Sequence, residues 1–476
     1  MEQPPSGDGP TDQILRTEVA CCIAGCGPAG AMLGLLLARA GVEVLVLEKH
    51  ADFLRDFRGD TLHPSTLRLF DELGLAEQLL DLPHQTSAVL RVTTDYGDYT
   101  LADFRRLPGP YRFLAFMPQW DFLDFVVDQA RRLPWFQLRM RAEALEALQE
   151  AGRVVGVTYR DQDGATHQVR ARLTVAADGR GSDLRRSAGL RPTEFGAPID
   201  VLWFRLPKRP TDRPQSFGRL AAGHLLVLID RGDYWQIAYV IGKDAAAEIR
   251  EQGLERFRTS VAELVPLLAD RVGELRTWDD VRTLRVQVDR LRRWFRPGLL
   301  CIGDAAHAMS PIGGVGINMA VHDAVATANL LARPLGDGTL STWHLARVQL
   351  RRTLPTVLVQ RGQRAIQDYF LPPAGRPPPV PATPGPAGAA PLPDPAGDPR
   401  PPYRPRRPPR ARAQPHRSRC AAVPQRTHHP PDRARRHAPT ARTGLTAHRE
   451  WFEPNRQIRR LGAAGKLASS CKGSAG

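Results

Sequence analysis

The sequence predicts an α/β fold that carries an inserted antiparallel sheet and ends in a disordered tail. Three observations predict it. Two short apolar runs, Val19–Ala24 and Val42–Leu47, flank a glycine turn and the helical segment Pro28–Ala40, which is the order of a βαβ unit. Strand signals then crowd between Pro198 and Ile241, where Val201–Leu206, His224–Ile229 and Tyr234–Ile241 are separated by Gly, Pro and Asp turns. Finally, residues 373–476 hold 22 prolines but only 8 residues of Leu, Ile, Val and Phe. That is too little apolar surface to offset the entropy of ordering the chain.

Residues 1–18 are polar and Pro/Gly-rich and read as a loose leader. Residues 19–197 form the first part of the main domain. Its first helix has Pro at the first turn and Gly41 beyond its end. Asp121–Leu133 has helical spacing, and Val154–Tyr159, Gln168–Arg172 and Leu173–Ala176 read as strands. Residues 198–285 hold the inserted sheet and a helix, Ala245–Leu268. Residues 286–371 return to the main domain through the buried strand Leu299–Ile302, the helix Gly316–Leu331 and the long helical stretch Ser341–Tyr369. Residues 372–476 are the tail. Its abrupt Arg/Pro/Ala/Gly-rich onset predicts a frameshift near codons 372–375, which resequencing of the gene checks.

The chain has 66 basic and 50 acidic residues, a net charge of +16. Residues 373–476 carry 20 basic and 5 acidic residues, so the body is nearly neutral and a nucleic-acid-coated body is excluded. No run of ~18 uncharged apolar residues exists to span a membrane. The N-terminus lacks the cationic and apolar regions of a secretory signal. Six cysteines without paired spacing make neither a disulfide framework nor a metal site. A cytoplasmic location is the default.

The sharpest local signal is Gly25-Cys26-Gly27-Pro28-Ala29-Gly30. Side chains at Gly25 and Gly27 would block a tight turn and the approach of a pyrophosphate to backbone amides. Gly30 lets the helix pack on the strand, and the helix dipole holds the phosphates. Glu48, with Lys49 after it, ends the second strand where a carboxylate can accept from a ribose diol. This is a Rossmann-like dinucleotide site, and by itself it does not separate FAD from NAD.

Two further elements do. Val175–Ser182 is a buried strand ending in Asp178-Gly179, with Arg185 and Arg186 downstream. Leu299–His307 delivers Gly303-Asp304 to a strand end, and Ser310–Asn318 then runs as a glycine-rich loop into a helix. Asp304 can accept from ribityl or ribose hydroxyls. The loop Pro311–Gly316, with Gly313 and Gly314, can lie flat beside a ring. Amides of Gly316, Ile317 and Asn318 turn the positive helix end toward negative charge.

In this order and spacing the pieces GCGPAG, ADGRGS and CIGDAAHAMSPIGGVGINMAVHDA resemble the aromatic-hydroxylase class of flavin monooxygenases, whose type member is para-hydroxybenzoate hydroxylase. The resemblance covers roughly residues 18–370. It implies an FAD domain with an inserted antiparallel substrate-domain sheet. It also implies FAD reduction by NADH or NADPH, and oxygen transfer from a C4a-hydroperoxyflavin to a small, usually electron-rich substrate. It further places Arg58 near the flavin and phosphates, and Gln119 on the ribityl-phosphate chain. His307 is read as a brace for its loop rather than a catalytic group. No catalytic side chain and no metal is assigned. Trp203, His224, Tyr234, Trp235, Gln236 and Tyr239 come from the sheet, but strand alternation sends half of such side chains away from any pocket, so none is assigned to substrate.

Rival readings are an FAD-dependent epoxidase, a prenyl-lipid reductase, a flavin halogenase, and a catalytically impaired flavin-fold protein whose Arg-rich tail binds anions. A halogenase needs a Lys beside the flavin and a WxWxIP stretch. The body has only Lys49, Lys208 and Lys243, and the stretch is absent.

Overall fold

The computed structural model describes residues 16–54, 61–212, 216–221 and 224–370. The expected Arg58 contact and the expected tail lie outside the described residues. The main sheet is built on Arg16–Ala24, a strand that begins inside the segment read as leader. It pairs in parallel with Thr166–Ala176 on one side and Val44–Glu48 on the other. Phe136–Met140 and Leu299–Cys301 extend the parallel set outward. Thr166–Ala176 is one continuous strand where two were expected, because its alternate buried residues run unbroken from Val169 to Ala176. Strands buried on both faces read as continuous apolar runs, and Val44–Glu48 is buried along its whole length.

The register decides the rest. Ala24 stands opposite Leu47 and Ala176, and Ala176 stands opposite Cys301. Four strands therefore end in one row, and the residues after them emerge along a single sheet edge. The helix Pro28–Arg39 packs beside that edge with all of Ala29–Ala38 buried. The helix Gly316–Gly336 lies against it within the same apolar core. Burying each such Leu or Val stabilises the layer by roughly 1.5–3 kcal/mol.

The second sheet runs Arg282–Leu284, Ile199–Pro207, Tyr234–Gly242, His224–Asp230, Phe217–Ala221, Val89–Thr94 and Gly97–Asp103. Two of its strands come from the first part of the chain, outside the expected boundaries of the insertion. Its pairings are antiparallel except for Phe217–Ala221 with Val89–Thr94, which is parallel. The expected helix Ala245–Leu268 is three pieces: Ala246–Glu251, Leu254–Leu264 and a short turn at Pro266–Leu268. Gly253 breaks it with φ +92°, a left-handed value a helix does not accept. The final helix, Thr342–Phe370, runs unbroken past Pro355.

Candidate flavin site

The three glycine-bearing strand ends touch. A Cβ on Gly25 would stand 2.4 Å from the Ala177 carbonyl oxygen, and one on Gly303 would stand 3.0 Å from Ala29 Cβ. Arg185 is buried and donates to the carbonyls of Ala305 at 3.1 Å and Arg180 at 2.6 Å, tying the second element to the third. Glu48 accepts from the amides of Cys26 at 2.9 Å and His50 at 3.1 Å. It thereby locks the glycine turn to the end of the second strand. Lys49 beside it is exposed.

Asp304 sits on the same edge, about a third exposed, and its Oδ2 accepts from Arg180 Nε at 3.1 Å. Glu48 is buried, whereas Asp178 is half-buried. Its Oδ2 accepts from the Leu184 amide at 3.4 Å, while its Oδ1 is buried without a hydrogen-bond partner. Burial pushes its pKa up. Gln119 opens the helix Gln119–Arg131 behind Pro118. The strand leading to it, Leu114–Phe116, pairs with Thr61–Leu62, and Thr61 is the close neighbour of Gly314.

The loop Ala308–Gly314 is pinned by side chains, among them His63 and Asp323, to which sequence reading assigned no role, and His307, read there as a brace. His63 Nε2 hydrogen-bonds the Gly313 carbonyl at 2.9 Å. Asn318 donates to the carbonyls of Thr61 and Gly314, both at 2.9 Å, and accepts from the His63 amide and Thr66 Oγ1. Its side chain is therefore committed within the protein, and what Asn318 offers a ligand is its amide. His307 is buried, with Nε2 2.6 Å from Asp323 Oδ2 and its ring 4.9 Å from that of Trp294. Asp323 also accepts from the Gly303 amide at 3.0 Å and from Arg352 Nε at 2.7 Å. These partners hold its carboxyl well below the usual range despite burial.

Burial holds His63 down to about 4, and burial together with Arg352 holds His322 down to about 3, against an ordinary 6.5. Both folded values lie below the unfolded one, so the unfolded chain takes up protons first. Their contribution is therefore complete above about pH 6.5 and falls as the pH drops toward 4, by about 1.4 kcal/mol per group per pH unit. The melting temperature is expected to fall between pH 6.5 and 4.5, and His63→Gln is expected to flatten that fall. An unchanged slope in the variant would refute it.

FAD fits this edge. The helices starting at Pro28 and Gly316 have no side-chain cap and no acidic residue in the first turn, so their amides and positive ends are available to anionic groups. A Cβ on Gly27 or Gly316 would meet nothing within 4 Å, leaving space above both turns. The orphaned Asp178 oxygen lies in the same row. Beyond the loop, Ile312 packs on the face of the second sheet formed by Ile199, Val201, Ala238 and Val240, with Trp203 at its margin. Trp235 and Tyr239 lie on the opposite face, packed with Phe257, and His224 contacts the Tyr239 hydroxyl. Gln236 alternates onto the loop side with Ala238 and Val240.

A family model described as FAD binding domain matches residues 16–361. Over 347 residues, 72% of this chain and 82% of the relative, the chain is 34% identical to 6-methylpretetramide 4-monooxygenase of Streptomyces rimosus. It is 28% identical to a Pseudomonas para-nitrophenol 4-monooxygenase across 72% of this chain and 86% of that one. Among solved structures, a probable FAD-dependent monooxygenase from Pseudomonas aeruginosa shares the fold with a TM-score of 0.64, at 21% identity over 75% of this chain and 97% of that one. These matches show that the chain belongs to the FAD binding domain family and is an FAD-dependent oxidoreductase of the monooxygenase kind.

Proposed function

We propose that the enzyme hydroxylates a small aromatic substrate, using O₂ and electrons from NADH or NADPH. The observation that carries this reading is the meeting of loop residue Ile312 with an apolar sheet face, next to a row of acids and free helix ends suited to FAD. Relatives named for hydroxylating aromatic compounds support it, among them a probable NADH-specific resorcinol 4-hydroxylase of Rhodococcus jostii at 26% identity. FAD supplies the electron transfer and the oxygen activation. The chain's residues bind and orient. Amides after Gly27 hold the pyrophosphate, Glu48 takes the adenosine ribose, and Asp304 takes the ribityl chain. Amides of Ile317 and Asn318 favour negative charge at the ring edge, and the apolar face with Trp203 keeps water from the reacting atoms. Among the described residues no helix is long and apolar enough to cross a membrane, and the buried free thiols Cys21, Cys22, Cys26 and Cys301 suit a reducing cytoplasm.

The test is direct. Purified protein is expected to show the visible absorption of bound flavin, to oxidise NADH or NADPH faster when phenols are added, and to yield a product one oxygen atom heavier. A yellow protein whose nicotinamide oxidation ignores every phenol, with no oxygenated product, would overturn the reading.

A further inference from the structure

We propose that the final helix is a splint for the flavin ring and that Gln363, flanked by Gln360 and Gln367, is its positioning residue. This rests on the reading that the loop Pro311–Gly316 lies against the isoalloxazine. Gln363 Nε2 donates to two loop carbonyls, Ser310 at 2.7 Å and Ile312 at 2.8 Å. One turn on, Gln367 Nε2 donates to Ser310 Oγ at 2.8 Å. One turn back, Gln360 Nε2 donates to the carbonyls of Ala308 at 2.9 Å and Asp289 at 2.8 Å. All three side chains are buried, and their spacing stacks them on one helix face.

A helix that only had to pack here would carry Leu or Met. Instead it buries amides, and the Oε1 atoms of Gln363 and Gln367 are left without hydrogen-bond partners, an unfavourable arrangement unless the donors matter. With His63 on the Gly313 carbonyl and Asn318 on the Gly314 carbonyl, the oxygens of Ala308, Ser310, Ile312, Gly313 and Gly314 are all drawn onto protein donors. The negative ends of these peptide dipoles are thereby fixed, while the amides of the following helix point the opposite sign at its N-terminus. Freeing two of those carbonyls lets negative potential return to the place where the reduced ring carries its own charge. Gln363 thus tunes how readily the flavin is reduced, not merely how stable the domain is.

The experiment compares four holoenzyme variants. In Gln363→Met, flavin reduction by NADH or NADPH is expected to slow about tenfold, the size of two lost neutral hydrogen bonds. Its midpoint potential is expected to fall and its visible band to change shape. Thr356→Val on the same buried face, where the hydroxyl bonds only the Arg352 carbonyl of its own helix, is expected to lower the melting temperature without moving the flavin signals. If Gln363→Met does not retain FAD, Gln360→Met, which frees the Ala308 carbonyl of the same loop, carries the test, with the same shifts at smaller size. Flavin spectrum and potential equal to those of Thr356→Val would overturn the proposal. Gly316→Ala separates the parent reading: if it leaves the flavin unchanged, the loop does not meet the ring. If it perturbs the flavin while the glutamine variants do not, only the splint fails.

Discussion

Gly27→Ala is expected to fold as well as the unaltered protein and to lose FAD, whereas Gly25→Ala and Gly30→Ala are expected to lose the fold. The three glycines share one turn but answer to different constraints. A Cβ on Gly30 would lie 1.9 Å from the Gly25 carbonyl oxygen, and one on Gly25 would lie 2.4 Å from that of Ala177. Both obstacles are backbone, so neither can swing aside. Gly25 also has φ +93°, which adds about 1–2 kcal/mol of strain for any other residue. Each of these two changes is expected to cost more than ~3 kcal/mol. Gly27 has φ −71° and ψ −175°, ordinary for alanine, and nothing lies within 4 Å of its added methyl. Loss of unfolded-state freedom favours alanine there by up to ~1 kcal/mol, and its poorer capping offsets part of that gain. The methyl meets only the ligand. FAD affinity is expected to fall at least about 100-fold, or ~2.7 kcal/mol. Thermal melts followed by circular dichroism, together with FAD titration of the apoprotein, measure both sides. A Gly27→Ala protein that binds FAD nearly as well as its parent would remove the pyrophosphate from this turn.

That contrast also marks what the sequence could reveal. The βαβ order, the strand-ending acids and the glycine loop were legible because each rests on local rules: apolar runs, turn residues and helix starts. Their assembly along one edge follows from parallel register, which pairs Ala24 with both Leu47 and Ala176. What stayed hidden is long-range. Nothing near Val89–Thr94 announces that it will pair with Phe217–Ala221. Asp323 stands in the quoted motif, yet its role depends on Arg352 arriving from another helix. Asn318 was found for its amide, while its side chain proved to be a clamp on Thr61 and Gly314. The breaking of Ala245–Leu268 was legible in principle, since Gly253 interrupts an otherwise helical pattern. Glutamines on a long helix resemble solvated polar residues until the loop they serve is in place.

Asp323→Ala is the second large effect. Asp323 is fully buried and joins three elements: the Gly303 amide of the strand-end turn, His307 of the loop, and Arg352 of the final helix. Removing it strands the Arg352 guanidinium, itself buried, without its counter-charge. Breaking a buried pair from one side costs about 3–5 kcal/mol, most of it the penalty of the charge left behind. The variant is expected to lose that much stability in urea unfolding, and its FAD affinity with it, because the Gly303-Asp304 turn loses its anchor. Asp323→Ala combined with Arg352→Met is expected to recover part of the loss, since no charge is then stranded and the methionine refills the space. The pH dependence has a definite sign. The folded carboxyl titrates below the unfolded one, so its contribution is complete above about pH 4 and fades only as the pH falls below that. The histidines therefore contribute to the decline from pH 6.5 to 4, and Asp323 joins other ion-paired carboxylates, such as Asp212 with Arg271, in the acid limb below it. A cost below ~1 kcal/mol for Asp323→Ala, or no recovery in the double variant, would mean that this cluster does not hold the third strand end in place.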